Sequence, residues 1–422
     1  MYPNPSDITR TTFANGLTLL VRENHAAPVA VLHGSLAAGA AQEAPEQAGL
    51  ASFVASMLSR GSRRYDFDAF NAAVENVGGN LTFGADTHST SFGLVCLQED
   101  FAALVDVLAD ALRHPAWPRK HVEQVRRQRL VDLQERDEDT GSMANLRFYE
   151  ALFGRQHAYG RSTSGYRETI KPLGRGDVQT FYQSFYTPSQ GVIVVTGDVE
   201  AQAVIDLLGD KLGDWQGPAA ARAMVQPPAV ISTTPGRMVV PMADKVQADI
   251  VLGVAAIQRD HPDFYALRVA NSILGQFGLM GRLGARVREE QGLAYYAYSS
   301  LAADLVGGVW TAAAGVSPDH VEAAITSIQE EFARIGAEGV SDEELADSQA
   351  YLTGHLPLTL ETNEGVASTL LSMEWYGLGL DYLLRYQELI YGVTRQDVQR
   401  VCAEYLRSDR LLTVVAGPNT PS

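Results

Sequence analysis

The segment from Gly49 to Ser62 reads Gly-Leu-Ala-Ser-Phe-Val-Ala-Ser-Met-Leu-Ser-Arg-Gly-Ser. Its apolar residues, Leu50, Phe53, Val54, Met57 and Leu58, fall at helical spacing, and Gly61 suits a helix stop. Ser52, Ala55 and Ser56 then stand at i, i+3 and i+4, on one helix face. Histidines at the outer two positions, with a glutamate between, would set two imidazoles on one Zn²⁺ and a carboxylate beside its water. Two serines and an alanine offer none of this. Serine catalysis from Ser52 or Ser56 is not expected either, because no histidine or acid neighbours them and small residues suit a packed helix.

No other segment supplies the missing chemistry. The nine histidines include no pair three or four apart; the closest, His114 and His121, are separated by Pro115 and Pro118. Each lone histidine reads as a surface or satisfied core residue. Two cysteines, Cys96 and Cys402, exclude a disulfide framework and a cysteine-based zinc site. Neither a G-x-S-x-G elbow nor a G-x-x-x-x-G-K-[S/T] loop occurs. The glycine-rich run Gly275 to Gly284 lacks the phosphate-binding lysine and reads as a flexible loop.

The helix at Gly49 needs a framework, and the 422 residues are enough for two or three domains with real cores. Apolar residues make up 46% and charged residues 20%, which excludes wholesale disorder. Thirty-three basic against 50 acidic residues give a net charge of −17, which argues against nucleic acid and anionic membranes as partners. The N-terminus has neither a basic nor an apolar leader segment. The longest uncharged, mostly apolar stretch, Leu305 to Val316, is too short to span a bilayer. These features, with two free thiols, point to a soluble, cytoplasmic protein.

The framework is duplicated. Arg175-Gly-Asp-Val-Gln matches Arg395-Gln-Asp-Val-Gln, and Val192-Ile-Val-Val-Thr-Gly matches Leu412-Thr-Val-Val-Ala-Gly, both at an offset of 220. Seven positions are identical without a gap, against roughly one or two by chance. Each copy reads as a helix followed by a buried strand ending in glycine. Each half opens with an apparent hairpin: Gly16 to Arg22 with Val29 to Leu36, and Arg237 to Pro241 with Ala248 to Val254. Long helices follow at Phe101–Arg113, Lys120–Asp137, Pro318–Ile335 and Asp342–Leu356. Few-stranded sheets mixed with runs of helices indicate an α+β fold. The expected domains are 1–214 and 230–422, joined by a linker over 215–229 where Gly217-Pro and Pro227-Pro228 break periodicity.

The Gly49 segment resembles the helix of the insulinase/pitrilysin-like zinc peptidases, the inverzincins, and most closely their bacterial processing-peptidase-like members. That helix reads G-L-A-H-F-x-E-H-M-x-x-x-G-T. The chain keeps the framework residues and departs at Ser52, Ala55 and Ser56. The family's third ligand is a glutamate about 76 to 77 residues beyond the second histidine; here that register falls on Leu133, with Asp132 turned some 100° away. Asn15-Gly-Leu, Val77-Gly-Gly-Asn-Leu and His157-Ala-Tyr-Gly-Arg resemble further family segments. Arg288-Glu-Glu-Gln-Gly-Leu-Ala-Tyr295-Tyr-Ala-Tyr-Ser resembles R-E-x-x-G-L-A-Y-x-x-x-S, with its Arg and Tyr both present.

The resemblance implies two homologous domains, each a mixed, mostly antiparallel sheet packed with helices, forming half of a clamshell. It implies a division of labour in which a homologous partner carries the zinc and this chain, holding no metal, contributes Arg288 and Tyr295. Tyrosine hydroxyl and guanidinium suit an oxygen gaining negative charge, or the positioning of a peptide substrate. On chemistry alone, an arginine at a helix end and a tyrosine in a strand also fit a structural role. The competing reading is a non-catalytic scaffold or peptide-binding subunit, heterodimeric or paired with itself, like the processing-peptidase-like core proteins of respiratory complexes.

Overall fold

The computed structural model describes residues 3–218, 236–275 and 281–418. Most of the expected linker, 219–229, and residues 276–280 of the glycine-rich run lie outside the described residues. The first half of the chain forms strands β1 (Thr9–Thr12), β2 (Thr18–Glu23), β3 (Val29–Leu36), β4 (Asn80–Ala85), β5 (Thr90–Leu97) and β6 (Val192–Gly197). Its helices are α1 (Leu50–Leu58), α2 (Phe67–Glu75), α3 (Gln98–Arg113), α4 (Arg119–Glu138), α5 (Thr140–Phe153), α6 (Arg167–Ile170), α7 (Arg175–Phe185) and α8 (Ala201–Leu212). The second half forms β7 (Gly236–Pro241), β8 (Ala248–Ala256), β9 (Ala294–Ala303), β10 (Gly308–Val316) and β11 (Leu412–Gly417). With them go α9 (Phe264–Leu274), α10 (Val321–Glu338), α11 (Asp342–Thr359), α12 (Asn363–Trp375), α13 (Tyr382–Tyr391) and α14 (Arg395–Tyr405).

The duplication is visible in the topology. One sheet runs β1-β2-β6-β3-β5-β4 and the other β7-β11-β8-β10-β9, so removing β1 leaves one strand order drawn twice. In each, a single pair is parallel, β2 with β6 and β7 with β11, and every other neighbour is antiparallel. The matching segments α7 and α14 begin 220 residues apart and share a cap. The Asp177 carboxylate accepts from Gly174 N at 2.7 Å, and the Asp397 carboxylate from Thr394 N at 3.0 Å. Each satisfies an amide that the helix itself leaves without a partner.

The expected hairpins do not form. β6 inserts between β2 and β3, and β11 between β7 and β8. The reason lies in the late strands themselves. β6 reads Val-Ile-Val-Val-Thr-Gly and is buried at every residue, as is β11. A strand apolar on both faces belongs in the middle of a sheet. Gly197, at φ 125°, ends β6 where a Cβ would stand 2.0 Å from Val29 O, so only glycine fits there.

Neither compact unit is one continuous stretch of chain. One comprises Met1–Leu133, Ser162–Val225 and Pro357–Leu384; the other comprises Gln134–Arg161, Gln226–Leu356 and Arg385–Ser422. In the first, α12 lies across β6 and β3, burying Val366, Leu370 and Met373. Their spacing is one helical stripe, and each contributes about 1.5–3 kcal/mol on burial. Asn24 Nδ2 donates to Asn363 Oδ1 at 2.8 Å at one end of the helix, and Arg10 Nη2 donates to Glu374 at 2.7 Å at the other. In the second unit, α5 lies across β11 and β8 and buries Met143, Phe148, Leu152 and Phe153. The two helices occupy equivalent places on equivalent sheets, each drawn from the opposite half of the sequence. Among the described residues, no helix is long and apolar enough to cross a membrane.

Candidate functional site

Helix α1 starts at Gly49, whose φ of 95° is left-handed. A Cβ there would meet Ile170 Cδ1 at 2.7 Å, so the position requires glycine. The buried Glu43 carboxylate caps the helix, accepting from Gly49 N at 3.0 Å and Ala51 N at 2.5 Å. Phe53, Val54, Met57 and Leu58 anchor the helix in the core. That leaves Ser52, Ala55 and Ser56 on the remaining face, where Ser52 and Ser56 meet α4.

Both serine hydroxyls are spent on their own helix. Ser52 Oγ donates to Gly49 O at 3.1 Å, and Ser56 Oγ donates to Ser52 O at 2.9 Å. Ser52 is 8% exposed and Ala55 1%. The group that meets them is a cation. Arg129 of α4 donates through Nη2 to Ser56 Oγ at 2.6 Å and to Ser52 O at 3.2 Å. Burial pulls its pKa below the ordinary arginine value, and Asp132 pulls the other way. One turn further on, Leu133 is 2% exposed and packed in the same apolar core as α1. Asp132 is exposed and accepts from Gln128 Nε2 at 2.9 Å.

This donor set does not fit Zn²⁺. The ligand positions hold two hydroxyls and a buried isobutyl group, the glutamate position holds a methyl, and a guanidinium donates to Ser56 Oγ and Ser52 O. Among the described residues, no group of three or more His, Cys, Asp or Glu could hold a metal ion. Arg129 had no part in the sequence motif. Its signal was its place four residues before Leu133, on the same face of α4.

The segment carrying Arg288 and Tyr295 is built differently. Gly284–Glu290 form a π-helical turn, an uncommon geometry frequent at functional sites. Its approach is pinned by Arg282, which donates to Glu344 through Nε at 2.6 Å and Nη2 at 2.9 Å, and to Gly339 O at 3.0 Å. Arg282 holds the Glu344 carboxyl down at about 2, against burial acting in the opposite sense. Arg288 is exposed, with Nε 3.6 Å from Glu289 Oε1. Gly292, at φ 62°, closes the turn by donating to Arg288 O at 3.0 Å.

The chain then enters β9, an edge strand, through a bulge. Val316 pairs with Ala294 and Gly315 with Tyr296, which leaves Tyr295 as the extra residue. Tyr295 is 67% exposed. Its neighbour Tyr296 is tied down: its hydroxyl donates to the buried Asp249, which also accepts from Thr140 Oγ1 at the start of α5 and from Gln247 Nε2. Burial and the Asp249 charge both raise the Tyr296 pKa. Tyr296 and Tyr298 share a face, with rings 5.7 Å apart. Arg288 and Tyr295 are not hydrogen-bonded to each other.

Two other segments singled out from sequence are structural. His157 Nδ1 accepts from Tyr159 N at 3.1 Å, capping the turn Ala158–Gly160. Cys96 and Cys402 are buried, and burial pushes each thiol up to about 12, far from a reactive thiolate.

Residues 19–165 match the family described as Insulinase (Peptidase family M16), and residues 172–352 match the one described as Peptidase M16 inactive domain. An uncharacterised zinc protease of Streptomyces coelicolor is 26% identical, over 97% of this chain and 90% of its own length. The beta subunit of the mitochondrial processing peptidase of Blastocladiella emersonii is 23% identical, over 97% and 88%. Among solved structures, a peptidase M16 inactive domain from Pseudomonas fluorescens superposes with a TM-score of 0.90 at 24% identity, covering 98% of each chain. A protease from Helicobacter pylori does so with a TM-score of 0.90 at 19% identity, covering 97% of this chain and 99% of that one. At such identities the structural likeness speaks for the fold.

Proposed function

The chain belongs to the insulinase family of M16 peptidases, and we propose that it is the zinc-free subunit of a two-chain peptidase. It comprises two homologous halves of sequence, 1–214 and 230–422, joined by 215–229, each lending one helix to the compact unit of the other. Its partner is a homologous chain that carries the zinc, and its substrates are peptides. Arg288 and Tyr295 complete the partner's site. Attack on a peptide carbonyl puts negative charge on its oxygen, and a phenol O–H and a guanidinium are donors suited to that charge. Peptide is held by strand addition at a sheet edge, a mode that the edge strands β4 and β9 support. The setting is cytoplasmic.

The observation that carries this reading is the contrast within Ala294–Tyr296. Tyr296 is bound into the fold, whereas Tyr295 is extruded by a bulge and spends its hydroxyl on no described residue. A structural tyrosine would bury its ring and satisfy its hydroxyl. The test is to purify the chain with each zinc-bearing homologue from its source and assay peptide cleavage. Alone, the chain should be inactive and bind no stoichiometric zinc; the pair should cleave, and Tyr295→Phe should cut its turnover without loosening the pair. Chelator-sensitive cleavage by the isolated chain would overturn the reading. Association with full activity retained in both the Arg288→Ala and Tyr295→Phe pairs would leave the scaffold role.

A further inference from the structure

We propose that Arg129 makes the face of α1 formed by Ser52, Ala55 and Ser56 a carboxylate-binding site, receiving one carboxylate of a bound peptide. The inference rests on the peptide-binding reading above and gives this chain a ligand contact of its own, apart from Arg288 and Tyr295.

A guanidinium carries five N–H donors in a planar fork. Among the described residues, only Nη2 of Arg129 has protein acceptors, and both are uncharged: a serine hydroxyl and a helix carbonyl. Nε and Nη1 have none. Several other arginines of this chain are matched by acids. Arg282 is gripped by Glu344, Arg10 by Glu374 and Arg400 by Asp263. No carboxylate among the described residues lies within ion-pair distance of Arg129. Asp132, the one acid that acts on it, is exposed and held by Gln128. A partly desolvated cation without a counter-ion is costly to keep, and an incoming carboxylate offsets that cost with paired, charge-assisted hydrogen bonds.

The surroundings select the source of the anion. α1 packs beside β4, the edge strand of its sheet, whose outer side pairs with no described strand. A peptide added to that edge runs beside α1 and brings a carboxylate to the fork. One uncompensated guanidinium balances one carboxylate, and a chain of net charge −17 repels polyanions. The face that would bind a cation if it read H-x-x-E-H therefore has the opposite preference here.

The test uses the full chain and three ten-residue peptides that share a sequence and a neutral dye. One ends in a free acid, one in an amide, and one in an amide with an internal glutamate. Fluorescence anisotropy should show at least one carboxylate peptide binding about ten-fold or more tightly than the plain amide. The preference should shrink with added salt. Preference for the free acid alone identifies a peptide terminus as the source; preference for the internal glutamate identifies a side chain. Arg129→Gln should abolish the preference, and Arg129→Lys, which keeps the charge without the fork, should retain part of it. Should Arg129→Gln fail to fold, the salt dependence and the Lys variant still decide. Equal binding of acid and amide peptides overturns the inference and leaves the half-site reading standing. So does an acid preference that survives in Arg129→Gln, and so does the absence of binding by all three peptides. The half-site reading is scored separately, by turnover of the Tyr295→Phe pair.

Discussion

The α1 face and the Arg288–Tyr295 segment are built in opposite ways. At the α1 face, Ala55 and, from α4, Leu133 are almost fully buried, and both serine hydroxyls bond to their own helix. At Arg288 and Tyr295 the polar ends point outward, from a π-helical turn and a bulge that ordinary regular structure would not supply. Packing closes most of the α1 face, whereas the Arg288–Tyr295 segment stays exposed. A helix that loses its ligands relaxes into the core, because small and apolar side chains are stabilised there. An exposed tyrosine on a bulge gains nothing of that kind, so a use outside the fold accounts for it better.

The sharpest way to break this contrast is to restore ligands at α1. Ser52→His with Ser56→His should still bind zinc poorly while Arg129 stays, since a cation about 4 Å from the metal opposes it by roughly 4 kcal/mol per unit charge. Adding Arg129→Ala should raise zinc affinity by about three orders of magnitude or more, read by metal-dependent shifts in melting temperature. Equal affinity with and without Arg129 would mean that the guanidinium does not guard the face. Next comes Leu133→Ala. It should cost about 3 kcal/mol of stability in denaturant titrations, as removal of a core side chain does. A near-neutral result would mean the position still behaves as a surface.

On the other side of the comparison, Arg288→Ala and Tyr295→Phe should leave the melting temperature nearly unchanged while lowering kcat/KM of the paired enzyme by about 10²-fold. Tyr296→Phe should behave conversely. It removes one donor from buried Asp249, so it should cost about 1–3 kcal/mol of stability and reduce activity only as far as folded protein is lost. A loss of turnover confined to Tyr296→Phe would exchange the two tyrosines' roles. The smallest effect concerns the support of the Arg288 segment. Glu344 has its pKa depressed from 4.5 to about 2 by Arg282. Its contribution to stability is therefore present above about pH 4.5 and lost as pH falls towards 2. Glu344→Gln should flatten the acid side of the stability profile in that window, and an unchanged profile would remove the pair as an anchor.

What could be read in the sequence followed from periodicity and spacing. The offset of 220 located α7 and α14, and β6 and β11, without error, because a duplicated unit repeats its local pattern wherever it sits. Helical spacing put Ser52, Ala55 and Ser56 on one face. Long-range pairing was not legible. That β6 separates β2 from β3 depends on a partner more than 150 residues away, although its unbroken apolar run was the clue. Arg129 was missed because the motif fixes only its own positions, and the residue that fills a vacated site comes from whichever neighbour can reach. The bulge at Tyr295 leaves no mark in Ala-Tyr-Tyr-Ala, since register is a property of two strands together.

The exchanged helices set an order of events at birth. The ribosome delivers β1 to β6 early, yet one side of their sheet is covered by α12, which ends at Trp375. Until the chain has been made past Trp375, that apolar surface has no lid of its own. A nascent chain in this state is sticky, and it is the natural client of a holding chaperone. For the same reason a chain cut between its two halves would yield two fragments, each missing the helix that shields its sheet. Mixed together, they should find each other and fold as a pair.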